Sequence, residues 1–318
     1  MNMSENKIYQ TLFEEYRNQY KNGLYHKTQI LFAYNSNHIE GSTLSEEQTR
    51  SIFETNSFIA NKEQIIKAND ILEAKNHFKA FDFILENANK NISIELIKQL
   101  HSIVKKDCSD IKIIGNFKKQ QNFVGDIKTT PPQFVNTQIQ KLLDSYNENQ
   151  NKTIKELIDF HFHFEKIHPF EDGNGRVGRL LMFKECLKEN IIPFIIDEKH
   201  KLFYYRGLRE YENHQGYLIE TCLSCQDDYQ NLLNYFGIDL TQKKQFISQN
   251  QNPHNEPKKA NLSLKEINAK LDEATQKQNL RASKPKPNSQ KQEYIEKNNE
   301  NLENSNNQNS NKKLNKRK

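Results

Sequence analysis

His168-Pro169-Phe170-Glu171-Asp172-Gly173-Asn174-Gly175-Arg176-Val177-Gly178-Arg179 runs straight into the apolar stretch Leu180-Leu181-Met182-Phe183. The apolar stretch reads as a buried helix, so the glycine-rich run is a turn that opens one. Such a turn offers backbone N–H groups and the positive end of the helix dipole to an anion. Arg176 and Arg179 stand three apart, share a helix face and can reach one phosphate chain. Asp172 is a hard oxygen ligand suited to a Mg²⁺ ion that bridges phosphates. Gly173 and Gly175 permit backbone angles and close approaches that a Cβ would block. Asn174 tolerates the left-handed region and adds a side-chain donor. His168, with an ordinary pKa of about 6.5, is left as a base able to take a proton from an attacking hydroxyl. Phe170 is expected to point into the core and hold the loop still. A lone histidine or a lone Gly-x-Gly would sooner be core packing and a tight turn; the whole constellation in register predicts a site for a nucleotide polyphosphate.

Outward from that loop the chain reads as mainly helical. Thr153-Ile154-Lys155-Glu156 is a capping box that starts a helix to about Ile167. Asn190 and Pro193 mark the exit of the helix begun at Gly175. Ser93 caps a helix over Ile94–Val104. Helical patterns also cover about 5–20, 25–40, 62–88, 134–147, 198–212 and 214–235. Residues 115–132 read as a hairpin, with a Gly125-Asp126 turn between Phe123-Val124 and Ile127 and with Pro131-Pro132 closing it. The expected class is all-α with one small β-hairpin. Ser36-Asn37-His38-Ile39-Glu40-Gly41 ends an amphipathic helix whose stripe is Ile30, Leu31, Tyr34 and His38, with Gly41 at C′. Read alone, Glu40 is a solvated carboxylate near a helix end.

Composition divides the chain near residue 240. Residues 241–318 hold 17 Lys+Arg, 8 Asp+Glu, 25 Asn+Gln and two aromatics, Phe246 and Tyr294. Such a segment cannot bury enough apolar surface to offset chain entropy and is expected to be a disordered basic tail. The rest carries 29 basic and 33 acidic residues, so the overall charge of +5 belongs to the tail. A tail of that charge suits a nucleic acid, an anionic membrane surface or an acidic partner, and equally a solvated extension. Cys108, Cys186, Cys222 and Cys225 read as reduced, mostly buried thiols, since the single CxxC has no second pair. His161 and His163 lie two apart on a helix, which points them to different faces and speaks against a metal site with His168. Neither a signal peptide nor an apolar run of membrane-spanning length is evident, so a cytoplasmic protein without a membrane span is expected. Export to another cell by a dedicated machine would leave no necessary mark.

The 168–179 run matches, position for position, the HPFx(D/E)GNGRxxR signature of the Fic (filamentation induced by cAMP) family, and the chain resembles that family over about residues 25–235. The resemblance implies a Fic-type helical bundle with a β-hairpin flap. Its domains are an N-terminal helical region (1–92) with an inhibitory helix at about 25–41, a Fic core (93–235) with flap 115–132 and loop 168–179, and the tail 241–318. It implies transfer of AMP from Mg²⁺-bound ATP to a Ser, Thr or Tyr hydroxyl of a target protein. His168 would be the general base and Asp172 the Mg²⁺ ligand. Gly173, Asn174 and Gly175 would form the α-phosphate anion hole, Arg176 would bind the phosphate chain, and Arg179 would hold the terminal phosphate. Glu171 falls on the variable position. Gly175, where kinase relatives carry lysine, argues for nucleotidyl transfer.

Three further stretches carry the same resemblance. Ser36, Glu40 and Gly41 are similar to the inhibitory (S/T)xxxE(G/N) motif of class II-like members, in which the glutamate pairs with the second arginine of the loop, here Arg179. Such a brake acts within one chain or across a homodimer, and in some relatives the glutamate also supports AMP removal. Asn122, Phe123, Val124 and Gly125 of the flap would line the nucleotide, while the flap pairs main chain with the target segment. Tyr204 and Tyr205 would border the adenine. Glu212 stands where some relatives read adenine with an asparagine, and Asn213 is one position off. The alternatives are UMP, GMP or phosphocholine as the transferred group, and a non-catalytic nucleotide sensor that binds nucleic acid through the tail.

Overall fold

The computed structural model describes residues 6–57, 65–125 and 127–238. Helix α1 (Lys7–Arg17) starts where the Asn6 side chain accepts the Tyr9 N–H at 3.0 Å. Helices α2 (Leu24–Ile39), α3 (Glu46–Thr55), α4 (Ala68–Glu86) and α5 (Ile94–Val104) follow. A Ser45–Gln48 capping box opens α3, and the Ser93 hydroxyl caps α5. Strands β1 (Phe123–Val124) and β2 (Ile127–Lys128) pair antiparallel, with Phe123 opposite Lys128 and Val124 opposite Ile127. Then come α6 (Pro132–Glu148), α7 (Ile154–Ile167), α8 (Asn174–Lys188), a short 3-10 turn (Glu198–His200), α9 (Lys201–Glu210) and α10 (Gly216–Tyr235). The architecture is all-α with one small hairpin, and α6 begins directly at Pro132, a residue suited to a first helical turn.

Helix α8 is the axis of the molecule. Every residue from Arg176 to Leu187 is buried, so it is apolar or ion-paired on all sides rather than amphipathic. Phe183 meets Phe32 of α2, Phe81 of α4 and Tyr229 of α10 at ring-centre distances of 5.2, 5.3 and 5.7 Å. Helix α7 packs on α8 and reaches it through the short loop that carries the signature. The N-terminal helices therefore share one core with residues 93–235. Cys186, Cys222 and Cys225 sit together in a second apolar cluster, and all four cysteines are free and buried.

Four expectations need correction. Helix α3 is absent from the sequence reading, although Ser45-x-x-Gln48 signals its start. The pattern over 62–88 resolves into a helix from Ala68, with 58–64 outside the described residues. The Leu31–Tyr34–His38 stripe is the more open side of α2; Thr28, Gln29, Asn35, Ser36 and Asn37 are buried instead. That helix is enclosed by α1, α3, α4 and α8, so polar residues with partners replace the usual apolar face. The hairpin is only two residues per strand. The tail 241–318 lies outside the described residues. No helix among the described residues is long and apolar enough to cross a membrane.

Phe183→Ala should destabilise the protein by about 3–5 kcal/mol, the usual cost of emptying a buried aromatic site. Urea unfolding of the two proteins measures it, and a loss under about 1 kcal/mol would show that α8 is not the packing axis.

Candidate active site

Helix α7 ends as the chain turns left-handed at His168, with φ 52° and ψ 64°. That region costs a non-glycine residue about 1–2 kcal/mol, so the loop must over-determine it. The His168 N–H still bonds to the Phe164 carbonyl at 3.0 Å, and the Pro169 carbonyl accepts the Lys118 N–H at 2.9 Å. Phe170 is fully buried and stacks flat on His101, ring centres 3.8 Å apart. The Phe170 N–H donates to Asn174 Oδ1 at 2.8 Å, and its carbonyl accepts from Asn174 Nδ2 at 3.0 Å and Asn122 Nδ2 at 2.8 Å. Both ends of the Asn174 side chain are thus used inside the loop, and only its backbone is left for an anion. Asn174 is also helical from the outset: the left-handed cap is Gly173, at φ 80°. Glu171, without a role in the sequence reading, accepts the N–H groups of Lys112 and Ile113 at 3.0 and 3.1 Å.

His101 secures the loop from below. The Gly115 N–H donates to its Nδ1 at 2.9 Å, so the ring proton sits on Nε2, which donates to the Asp172 carbonyl at 3.0 Å. The Asp172 carboxylate takes Lys105 Nζ at 2.6 Å and Arg176 Nη2 at 2.9 Å, both on Oδ2. Burial opposes its ionisation, but Arg176 and Lys105 outweigh burial and hold the carboxyl at about 2. Oδ1 belongs to neither ion pair, and the side chain is 44% exposed. An ionised, reachable carboxylate oxygen beside a helix N-terminus has the chemistry to fit a Mg²⁺ ion, which binds through one or two carboxylates and substrate phosphates. Lys105 also bonds Glu73 at 2.5 Å and Asp110 at 3.1 Å. Glu73, Cys108 and Asp110 are close enough together to hold a metal ion, but this ammonium already pairs with both carboxylates.

Both loop arginines are buried and ion-paired. Arg176 Nη1 meets Glu73 Oε2 at 2.5 Å. Arg179 faces α2: its Nη2 donates to Glu40 Oε1 at 2.7 Å and to the Ser36 carbonyl at 2.8 Å, while its Nε donates to Ser36 Oγ at 3.0 Å. Burial works against ionised Glu40, yet Arg179 and then Arg176 hold its carboxyl below the usual range. A Cβ on Gly175 would press on Glu40 Oε1 and lie 2.8 Å from Arg179 Nη1, so a side chain there would displace the ends of this pair from their present geometry. Glu40 caps α2, and Gly41 follows at φ 96°. Helix α9 holds the same helix end, because Tyr205 OH donates to the Ile39 carbonyl at 2.7 Å and Lys201 Nζ to the His38 carbonyl at 3.1 Å. A cavity of about 410 Å³ opens beside the pair, lined by Glu40, Gly41, Glu73, Asp172 and Arg176 among others.

The remaining expected residues divide. Phe123, Val124 and Gly125 stand exposed on the hairpin, whereas the Asn122 side chain turns inward to Phe170, Lys118 and Thr129. Tyr204 is 1% exposed, with its hydroxyl 2.7 Å from His161 Nε2, so it presents no surface to a ligand. Tyr205 is partly open and has its hydroxyl committed to α2. Glu212 is exposed and paired with Lys166. The sequence reading missed Glu73, Lys105, His101 and Lys118. Only His101 left a signal, as a histidine on the apolar stripe of Ile97, Leu100 and Val104.

Fold and site together define a helical domain built around the N-terminus of a buried helix beneath a small hairpin. Residues 91–186 match the model of the Fic/DOC family. Over 183 residues it is 33% identical to protein adenylyltransferase Fic of Aedes aegypti, covering 57% of this chain and 36% of that protein. Over 186 residues it is 28% identical to protein adenylyltransferase fic-1 of Caenorhabditis elegans, with the same shares of 57% and 36%. A Fic domain-containing signalling protein of Bacteroides thetaiotaomicron has a similar fold, with a TM-score of 0.55 at 22% identity over 71% of this chain and 90% of that one. The chain spans about a third of the length of the curated relatives it matches.

Burial holds four imidazoles neutral: His77 and His161 at about 3, His101 and His168 at about 4. Unfolded, they bind protons below about 6.5, so the stability they lend is complete above that pH and is lost as pH falls toward 4. Glu165, pushed up by burial to about 8, and Asp82, pushed up by burial to about 6, act oppositely, losing stability as pH rises. Four groups outweigh two. The urea midpoint should be lower at pH 5 than at pH 7, and an equal or higher midpoint would contradict this arrangement.

Proposed function

We propose that this chain is a protein adenylyltransferase, transferring AMP from Mg²⁺-bound ATP to a Ser, Thr or Tyr hydroxyl of a target protein, and that Glu40 restrains it. The observation that carries the reading is the meeting of two sequence motifs 139 residues apart, Glu40 Oε1 on Arg179 Nη2 at 2.7 Å over Gly175. The curated names of the relatives support the reaction class.

The α-phosphate would rest on the N–H groups of the first turn of α8, which have no carbonyl to bond within the helix. Arg176 would bind the phosphate chain. The terminal phosphate would need Arg179, whose fork is taken by Glu40 and Ser36; carboxylate and phosphate compete for the same bidentate donor. With Glu40 in place, the nucleotide can sit only with its terminal phosphate displaced, and the α-phosphorus is out of line. A Mg²⁺ ion held by Asp172 would supply neutralising charge to the phosphates.

His168 would accept the target hydroxyl's proton as that oxygen bonds to the α-phosphorus and the bond to pyrophosphate breaks. In the closed form burial and the Lys118 charge keep the imidazole neutral but weakly basic, at about 4. A polyphosphate beside the ring favours the protonated form, so nucleotide binding raises the base toward its working range. Preorganised positioning and charge then carry most of the catalysis.

Wild type, Glu40→Gly and Glu40→Gly/His168→Ala should be incubated with Mg²⁺ and each nucleoside triphosphate, and the intact proteins weighed. The expected result is a gain of one nucleoside monophosphate in Glu40→Gly alone, with ATP the preferred donor. A gain equal in wild type removes the brake, a gain in the double variant removes the base, and no gain in any sample with or without added cell extract removes the transferase reading.

A further inference from the structure

Lys118, between α5 and β1, is 3% exposed, and among the described residues no carboxylate pairs with it. A buried ammonium without a counter-ion is costly, and its pKa is pushed down by burial to about 8. Its contacts are specific. Nζ donates to Asn122 Oδ1 at 2.6 Å and Thr129 Oγ1 at 2.7 Å, one residue on each leg of the hairpin. It also reaches the Ile167 carbonyl at 3.4 Å, while the Lys118 backbone N–H donates to the Pro169 carbonyl at 2.9 Å. One residue therefore holds the chain immediately before and immediately after His168, and both feet of the hairpin.

We propose that Lys118 is a positioning residue that locks the left-handed backbone of His168 to the base of the hairpin, so that placement of the base and placement of the hairpin are one event. The inference rests on the transferase reading above. A leucine or methionine would fill the same space more cheaply but could not satisfy Asn122, Thr129 and the Ile167 carbonyl together. The charged groups that bear on His168 are Lys118, which disfavours its protonation, and Glu40 and Asp172, which favour it. Removing the ammonium should therefore both loosen the base and make it easier to protonate.

Lys118→Met and Lys118→Arg, each in the Glu40→Gly background, test this through kcat, KM for ATP and the pH profile. The methionine variant should lose about tenfold or more in kcat with KM for ATP nearly unchanged, since only alignment of the base is affected. Its acid limb should move to higher pH, and the arginine variant should recover most of both. NMR titration of the His168 imidazole in otherwise wild-type protein gives a readout that needs no turnover: its pKa should rise in Lys118→Met, and hairpin amides should exchange faster. An unchanged titration and unchanged exchange overturn the proposal whether or not the parent transfers AMP, and so does a methionine variant with the parent's kcat and acid limb. Failure of Glu40→Gly itself to transfer counts only against the transferase reading. Should Lys118→Met not fold, Thr129→Val, which removes one of the lysine's anchors but keeps its charge, is expected to lower kcat and speed exchange of the hairpin amides in weaker form, and unchanged exchange there overturns the proposal equally.

Discussion

A guanidinium sealed from water must find a carboxylate, because an unpaired buried charge costs several kcal/mol. Helix α8 places two of them, Arg176 and Arg179, in its first turns. Arg176 is satisfied by Glu73 of α4 and by Asp172 of its own loop, and Arg179 by Glu40 and Ser36 of α2. The approach of α2 and α4 to the head of α8 is thus set as much by these pairs as by the aromatic contacts around Phe183. The same charges that a polyanion would need are the ones the resting fold must neutralise.

The loop and the hairpin differ in kind. The loop's frame is tied down by side chains, through Asn174 to Phe170, His101 to Asp172, and Glu171 to Lys112 and Ile113. Phe123, Val124 and Ile127 of the hairpin are open to solvent, and the two-residue strands leave their outer backbone groups unpaired by the sheet. A rigid base and an adaptable edge suit a site that fixes its own chemistry while accepting a segment of another chain by backbone pairing.

The fold class is legible because helix starts announce themselves locally: Ser93, and Thr153 with Glu156, cap helices where the sequence puts them. The signature loop is legible because glycine, histidine and arginine in that register have few other uses. What stays hidden is pairing across the fold. Glu73 and Lys105 carry no local signal, since nothing in the neighbouring sequence distinguishes a charge facing water from one facing a partner across the fold. The stripe on α2 misleads for a related reason. Amphipathicity locates the core only for a helix with one wet side, and α2 is surrounded. Tyr204 and Tyr205 are adjacent, so the helix turns them to different sides: one is sealed against His161 and the other reaches the end of α2.

That last contact changes what release of Glu40 requires. The final turn of α2 is fastened to three elements: Glu40 and Ser36 to Arg179 of α8, the His38 and Ile39 carbonyls to Lys201 and Tyr205 of α9, and the His38 ring to Glu198 of the 3-10 turn. Withdrawing the carboxylate alone would leave the other attachments holding it within reach of its partner, so it would fall back. Glu40 is thus held near Arg179 by its neighbours as well as by its own charge, and cannot move far from it unless the end of α2 moves as a unit.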